Sequence, residues 1–247
     1  MIKNVAINGP MNDRSISISS FLINVLRSYV IVSLEMDRAK IQLSPEELEL
    51  VQNAEWLLTK NRIIEKVYEM FGLLIDNIRK LSQDQPVLFP EIFTISPKIS
   101  KGENYLGLPY VMLDYPRYFG KTDTMAIRTM FWWGNFFSVT LHLKGKYKKA
   151  LLPSLKTYLP VLAEHHFFVS INKDEWRHDF LPDNYREFSG DEATPFGDTL
   201  LEAEEFCKIA AKISLHDWSH VPAQLTRLYD VLFKYCIISY PGDERGL

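Results

Sequence analysis

The residues of this chain best suited to hold an anion or to exchange a proton are Asp114, Arg117, Arg128 and His142. An arginine fork binds a carboxylate or a phosphate through two parallel hydrogen bonds, and an aspartate or a histidine exchanges protons with a bound ligand. A buried arginine also needs a partner, because leaving its charge unpaired costs about 3–5 kcal/mol. Two interpretations follow: a polar ligand site in an aromatic-lined concavity, or a structural pair in which Arg128 and Asp114 satisfy each other while His142 faces water.

Histidines that could bind a metal occur in two places. His216 and His220 are four residues apart, as in zinc-binding helices, but Asp217 follows the first histidine where a zinc metallopeptidase has a glutamate. His165 and His166 are adjacent, so on a strand their side chains would point to opposite faces. We therefore expect neither a metal nor another cofactor.

The candidate residues fall in the segment 105–144, which is dense in β-branched and aromatic residues. Apolar and polar residues alternate over 138–144, and this period of two predicts a strand with one buried face. The run Met125–Trp133 precedes it, and Gly134-Asn135 between them is a pair favoured in two-residue hairpin turns. The sequence therefore predicts a β-hairpin, with one bent strand through Gly134 as the alternative.

A two-residue turn would fix the register of this hairpin. Trp133 then faces Phe136 and Arg128 faces Leu141, because paired residues across such a turn have a constant sum. In that register Arg128 and His142 fall on opposite faces of the sheet. This counts against a single site that contains both.

Three further segments are predicted to be strands: Ile92–Ile99, Tyr110–Tyr115 and His166–Asn172. Proline donates no ladder hydrogen bond, so Pro109 and Pro116 are expected to limit the second strand at both ends. The third strand is expected at the edge of the sheet. With the hairpin, these segments predict a central antiparallel sheet of about four to five strands, roughly residues 91–172.

Helices are predicted over about residues 15–83 and 197–240. Ser44 opens one helix with a capping-box pattern, and Thr199 opens another that should run to Ile213. No Gly/Ser/Pro-rich linker separates the helical parts from the sheet. We therefore expect one α+β domain over residues 1–247, with the sheet packed against N-terminal and C-terminal helices.

Residues 174–195 are polar and rich in turn formers, with aromatic side chains at Trp176, Phe180, Tyr185 and Phe188. Long connections inside a compact domain are commonly functional or poorly ordered. The aromatic side chains indicate that this connection is held against the domain.

Composition narrows the classes of function. The formal net charge of −3 and the pI near 6.1 give no support for nucleic-acid binding, which needs clustered lysine and arginine. The glycine motifs of P-loops and dinucleotide-binding folds and the serine elbow of α/β-hydrolases do not occur in the sequence. Nucleotide binding and serine hydrolysis by those routes therefore lack support.

Two observations bear on where the protein is found. Arg27 interrupts the apolar segment 16–34, which argues against a membrane span. Cys207 and Cys236 are too few for a disulfide framework and are expected to be buried free thiols. We expect a cytoplasmic protein that does not bind a membrane.

The leading hypothesis is a non-catalytic binding or protein-interaction module. Exposed aromatic residues at Trp132, Trp133 and Phe136 would offer a surface to a protein partner or to a second copy of the chain. The alternative is an enzyme acting on a small anionic substrate, a carboxylate or a phosphate, held by Arg128 or Arg117. The enzyme requires a pocket into which an arginine and a titratable group both point, whereas burial of the three aromatic residues would remove the main support for the interface.

Overall fold

The computed structural model describes residues 21–31, 41–188, 201–202 and 205–238. Internal contacts divide the chain into two units, residues 1–59 and 60–247. The predicted helix start at Thr199 lies outside the described residues, as do residues 15–20 and 32–40 of the helical part predicted over about 15–83. Among the described residues, no helix is both long enough and apolar enough to cross a membrane.

The first unit contains helix α1 (residues 21–31) and helix α2 (Pro45–Gln52). The predicted capping box at Ser44 is confirmed. The backbone N–H of Glu47 donates to Ser44 Oγ (3.2 Å), and the backbone N–H of Ser44 donates to Glu47 Oε2 (2.8 Å). Two otherwise unsatisfied donors at the start of α2 thereby gain acceptors.

The second unit is built on a seven-stranded antiparallel sheet, which confirms the predicted α+β fold class and adds strands to the four or five expected. The order across the sheet is β1-β2-β3-β4-β7-β5-β6, so the first four strands are neighbours in chain order and form a meander. The strands are β1 (Lys98–Tyr105), β2 (Leu108–Phe119), β3 (Thr124–Trp132), β4 (Phe136–Lys144), β5 (Phe168–Ser170), β6 (Tyr185–Glu187) and β7 (Phe206–Ser214).

The remaining helices are α3 (Ala54–Asp84), α4 (Pro90–Phe93), α5 (Gly145–Thr157), α6 (Leu159–Glu164) and α7 (Val221–Leu232). Apolar residues of these helices and of one sheet face share a single buried core. Tyr229 of α7 is fully buried there, where its hydroxyl donates to Tyr115 O (3.2 Å) and accepts from Thr129 Oγ1 (2.9 Å). Two hydrogen bonds of one tyrosine hydroxyl therefore hold α7 against the sheet within an otherwise apolar layer.

The helix predicted to end at Ile213 was wrong, because residues 206–214 form strand β7. Cys207, Ile209, Ala211 and Ile213 point to the core with a period of two. β7 lies between β4 and β5, so it pairs with a neighbour on each side. Pairing with distant strands outweighs the local helical spacing of the apolar residues.

The predicted register of the β3–β4 hairpin was also wrong, by one residue. Trp132 pairs with Phe136, and the loop has three residues rather than two. Trp133 leaves the ladder because its N–H donates to Pro109 O on β2 (3.0 Å). Since a shift of one residue exchanges the faces of a strand, Arg128 and His142 share one face of the sheet.

Two other strand boundaries and the position of one strand in the sheet differ from prediction. β2 runs through both Pro109 and Pro116, and the ladder shifts register around the second proline. β1 begins only at Lys98, because α4 occupies the first part of the predicted Ile92–Ile99 strand. β5 lies inside the sheet, covered by β6, and not at its edge.

The hairpin loop generates a stability prediction. Gly134 has a left-handed backbone (φ +72°), and a Cβ built there would meet no atom within 4 Å. Gly134→Ala should therefore lower the free energy of unfolding by about 1–2 kcal/mol through backbone strain alone. Gly72→Ala, at an equally open helical position, should raise it by about 0.4–1 kcal/mol. Urea unfolding of both variants checks this, and effects of the same sign would contradict it.

Candidate functional site

The second face of the sheet is polar and carries the candidate residues. Register places Asp114 opposite Arg128 and His142 opposite Lys208. Residues 171–184, which connect β5 to β6 and are called the strap below, contact this face through hydrogen bonds to Arg128, His142 and Lys208. The predicted attachment of this polar connection to the domain is confirmed over the described residues.

Arg128 is held by a complete set of partners. Its Nε and Nη2 donate to Asp114 Oδ1 and Oδ2 at 2.6 and 3.1 Å, and its Nη1 lies 3.1 Å from His178 Nε2. The guanidinium carbon is 5.6 Å from the centre of the Phe119 ring and 5.9 Å from that of Trp176. The predicted pairing of Arg128 with Asp114 is therefore present, and it uses the fork that a ligand would otherwise occupy.

His178 is a site residue that sequence reasoning missed as a partner of Arg128. An arginine only donates hydrogen bonds, so His178 Nε2 must accept and the ring proton lies on Nδ1. Burial and the charges of Arg128 and Lys208 hold the pKa of His178 well below its ordinary value. The backbone N–H of His178 donates to Tyr105 Oη (2.7 Å), which anchors the strap to β1.

His142 does not face water, as one interpretation required, but is 4% exposed. Its Nε2 lies 3.1 Å from Glu175 Oε2 in the strap, and Lys144 Nζ donates to Glu175 Oε1 at 3.2 Å. Burial and the charges of Lys208, Arg128 and Lys144 lower the pKa of His142 to about 3. The imidazole is therefore neutral at pH 7 and donates Nε2–H to the carboxylate.

Lys208 is a second residue that sequence reasoning missed, because its segment was assigned to a helix. The side chain is 1% exposed and Nζ donates to Arg177 O in the strap (2.5 Å). Burial, followed by the charge of Arg128, lowers the pKa of Lys208 to about 7. The alternation of Lys208 with Cys207 and Ile209 is the signal in the sequence that could have identified a strand with a lysine on its polar face.

Arg117 is the candidate residue that lies apart from this cluster. Its Nε donates to Ser96 O (2.9 Å), just before β1. The structure therefore gathers Asp114, Arg128 and His142 of the predicted set and adds His178 and Lys208.

Two polar atoms near the ends of the strap, Ser170 Oγ and Asn184 Oδ1, are buried and have no hydrogen-bond partner among the described residues. The buried Tyr185 hydroxyl lies beside the side chain of Thr140. Lys208 Nζ lies 5.4 Å from the centre of the Tyr185 ring. Buried polar groups each cost about 1–3 kcal/mol when unsatisfied, so this corner of the polar face has spare hydrogen-bonding capacity.

The aromatic hairpin is less exposed than the sequence indicated. Trp132 is 7% exposed and its Nε1 donates to Tyr105 O (3.2 Å). Trp133 and Phe136 are half-buried, and Phe136 packs edge-on against Phe180 of the strap at 5.1 Å. β1 and the strap cover Trp132 and Phe136, and Trp133 packs against Phe131 of the core, so the three residues do not form the open contact surface that was expected.

Among the described residues, no group of three or more His, Cys, Asp or Glu is placed to hold a metal ion. His216 and His220 lie in a 3-10 helix, Leu215–His220, that leads into α7. Cys207 and Cys236 are buried free thiols.

No protein-family model, curated protein or solved structure matches this chain. Functional inference therefore depends on the geometry of the polar face and on the chemistry of its side chains.

The pairing of Arg128 with Asp114 generates a stability prediction. Asp114→Leu leaves the guanidinium buried without its carboxylate and should cost about 3–5 kcal/mol. The double variant Asp114→Leu, Arg128→Met removes both charges and should recover most of that loss. A double-mutant cycle by urea unfolding measures the coupling. A loss below about 1 kcal/mol for Asp114→Leu, as for an exposed pair, would contradict the account.

The two buried histidines predict a pH dependence. Their pKa values are lowered in the folded chain, so between those values and about 6.5 the unfolded chain binds more protons than the folded one. The free energy of unfolding should therefore fall as the pH drops below about 6.5. The variant His142→Gln keeps a hydrogen-bond donor for Glu175 but has no titrating group at this position. Its free energy of unfolding should therefore fall less steeply with decreasing pH than that of the natural chain. Urea unfolding across this pH range tests this, and identical slopes for the two proteins would contradict it.

Proposed function

We propose that this chain is a non-catalytic binding module that holds a small carboxylate- or phosphate-bearing ligand on the polar face of its sheet. The observation that carries the proposal is the position of the Glu175 carboxylate. It accepts hydrogen bonds from His142 Nε2 (3.1 Å) and Lys144 Nζ (3.2 Å). Glu175 belongs to the strap and not to the sheet, so it stands where a carboxylate of a ligand would be held.

The charges of the face support an anionic ligand. Arg128, Lys144 and Lys208 lie on the sheet, and Asp114 is the carboxylate that the sheet sets against them. The strap adds further carboxylates near this row, and Glu175 is the one that bonds to His142 and Lys144. An anion that replaced Glu175 would keep the same charge balance.

The strap offers a route for such an exchange. His178 and Asp179 are buried and tied to Tyr105 Oη by backbone N–H groups at 2.7 and 3.1 Å. Lys173, Asp174 and Trp176 are exposed. In the proposed mechanism the exposed part lifts away with Glu175 while the part around His178 stays anchored.

An enzyme acting on a small anionic substrate remains the second candidate, and one observation favours it. The pKa of Lys208 is lowered to about 7, so its amine exchanges protons near neutral pH. It lies opposite His142, and its Nζ is 5.4 Å from the centre of the Tyr185 ring. Turnover of a bound ligand would favour this candidate over the binding module.

We also propose that the protein resides in the cytoplasm. Both cysteines are free thiols, which suits a reducing compartment.

The test of the binding module removes the internal carboxylate. Glu175→Gln should bind acetate or phosphate about tenfold more tightly than the natural chain, because His142 and Lys144 are released, and tenfold corresponds to about 1.4 kcal/mol. Calorimetric titration gives the affinity, and a ligand at 100 times its Kd should add about 2.7 kcal/mol to the folded state.

Two control variants make this test specific. Glu65→Gln makes the same charge change at an exposed position of α3 and should leave the affinity unchanged. Lys144→Met added to Glu175→Gln should abolish the gain. Equal affinities for the natural chain and Glu175→Gln, or a gain that survives Lys144→Met, would overturn the proposal.

A further inference from the structure

A polar cleft lies at the start of β5, between the end of helix α6, the flank of helix α7 and the edge of the sheet. Its volume is about 290 Å³. The polar residues that line it are Glu164, His165, His166, Lys212, Gln224 and Arg227. We propose that this cleft is a separate binding site for a small oxyanion of the phosphate-monoester class, with Arg227 as its cationic contact and His165 beside it.

The topology of the sheet forms the cleft. β5 begins at Phe168, opposite Ala210, so the last part of β7 extends beyond the start of β5. α6 ends at Glu164 and α7 passes on the other side with Gln224 and Arg227. The result is a notch in the sheet, bordered by a helix end and a helix flank.

His166 occupies a strained position at this notch. Its φ is +54°, and it forms the C-terminal cap of α6: His166 N donates to Ala163 O (2.9 Å) and Phe167 N donates to Leu162 O (3.0 Å). Glycine is the usual residue at this position because a side chain is disfavoured there. The imidazole is 81% exposed, and its Nδ1 lies 3.1 Å from Glu187 Oε1. A strained residue with an open side chain is typical of binding sites.

Arg227 is the cationic side chain on the helix side of this cleft, whereas the Lys212 side chain lies on the opposite face of the sheet. Within the described part of the chain, neither Arg227 nor Lys212 forms an ion pair with a carboxylate. Arg227 Nη2 lies 3.4 Å from His165 Nδ1, and Lys212 Nζ lies over the rings of Phe168 and Phe180 at 5.4 Å. A guanidinium fork matches the paired oxygens of a phosphate or sulfate.

Charged groups around His165 give the site a pH signature. Burial and the charge of Arg227 lower the pKa of His165, His166 lowers it further, and Glu164 opposes them. Glu187 pairs with His166 at 3.1 Å and so offsets part of its charge. An oxyanion bound beside His165 would raise that pKa. Because the pKa would then be higher in the bound state, binding must tighten as the pH falls.

The experiment uses sulfate, whose charge does not change between pH 5.5 and 7.5. The full chain is titrated with sulfate at constant ionic strength while the histidine and backbone NMR signals are followed. The proposal expects saturable shifts at His165, His166 and Arg227, a raised pKa for His165, and tighter binding at the lower pH. Glycerol phosphate should bind at the same signals.

Three variants decide the outcome. Arg227→Gln should weaken sulfate binding by about tenfold or more. Lys149→Gln makes the same charge change at an exposed position of α5 and should leave sulfate binding unchanged. His166→Gly should raise the resistance to urea, because it relieves the strained cap, and at the same time weaken sulfate binding. Absence of saturable binding, binding that survives Arg227→Gln, or binding unchanged in His166→Gly would overturn the proposal.

Discussion

The buried charge of Arg128 is the constraint on which the polar face depends. Arginine stays protonated at all accessible pH values, and the side chain here is 12% exposed, so protein groups must replace water around it. The neighbouring strand supplies Asp114, and the strap supplies His178. Since His178 must accept a hydrogen bond, it is neutral and carries its proton on Nδ1. The buried charge of Arg128 therefore requires Asp114 on the neighbouring strand and His178 in the strap, and it fixes the tautomer of that histidine.

The rest of the strap follows the same principle. Glu175 bonds to His142 and Lys144, and the carbonyl of Arg177 accepts from Lys208. Replacing buried ionic groups by well-packed apolar ones is often neutral or stabilising, so stability alone does not explain a charged layer between sheet and strap. The opposite face shows that this sheet can be covered by apolar contacts, as α5 and α7 do there. The polar layer is therefore the part of the fold that calls for a functional explanation.

The sequence predicted what local patterns determine. Alternation over 138–144 predicted β4, the motif at Ser44 predicted the start of α2, and the need to neutralise Arg128 predicted Asp114. The sequence did not predict the features that depend on contacts between residues far apart in the chain. The hairpin register depends on a bond from Trp133 to β2, and β7 is a strand because two distant strands pair with it. Lys208 and His178 were missed for the same reason, since their partners lie far away in the sequence.

The most direct measurement is the protonation state and tautomer of the two buried histidines, read from long-range proton–nitrogen NMR correlations of the imidazole rings at pH 7. The account predicts two neutral rings with opposite tautomers. His178 should carry its proton on Nδ1, because Nε2 accepts from Arg128, and His142 should carry it on Nε2, because that nitrogen donates to Glu175. An imidazolium at either position, or the same tautomer at both, would contradict the arrangement of charges on which the polar face is built.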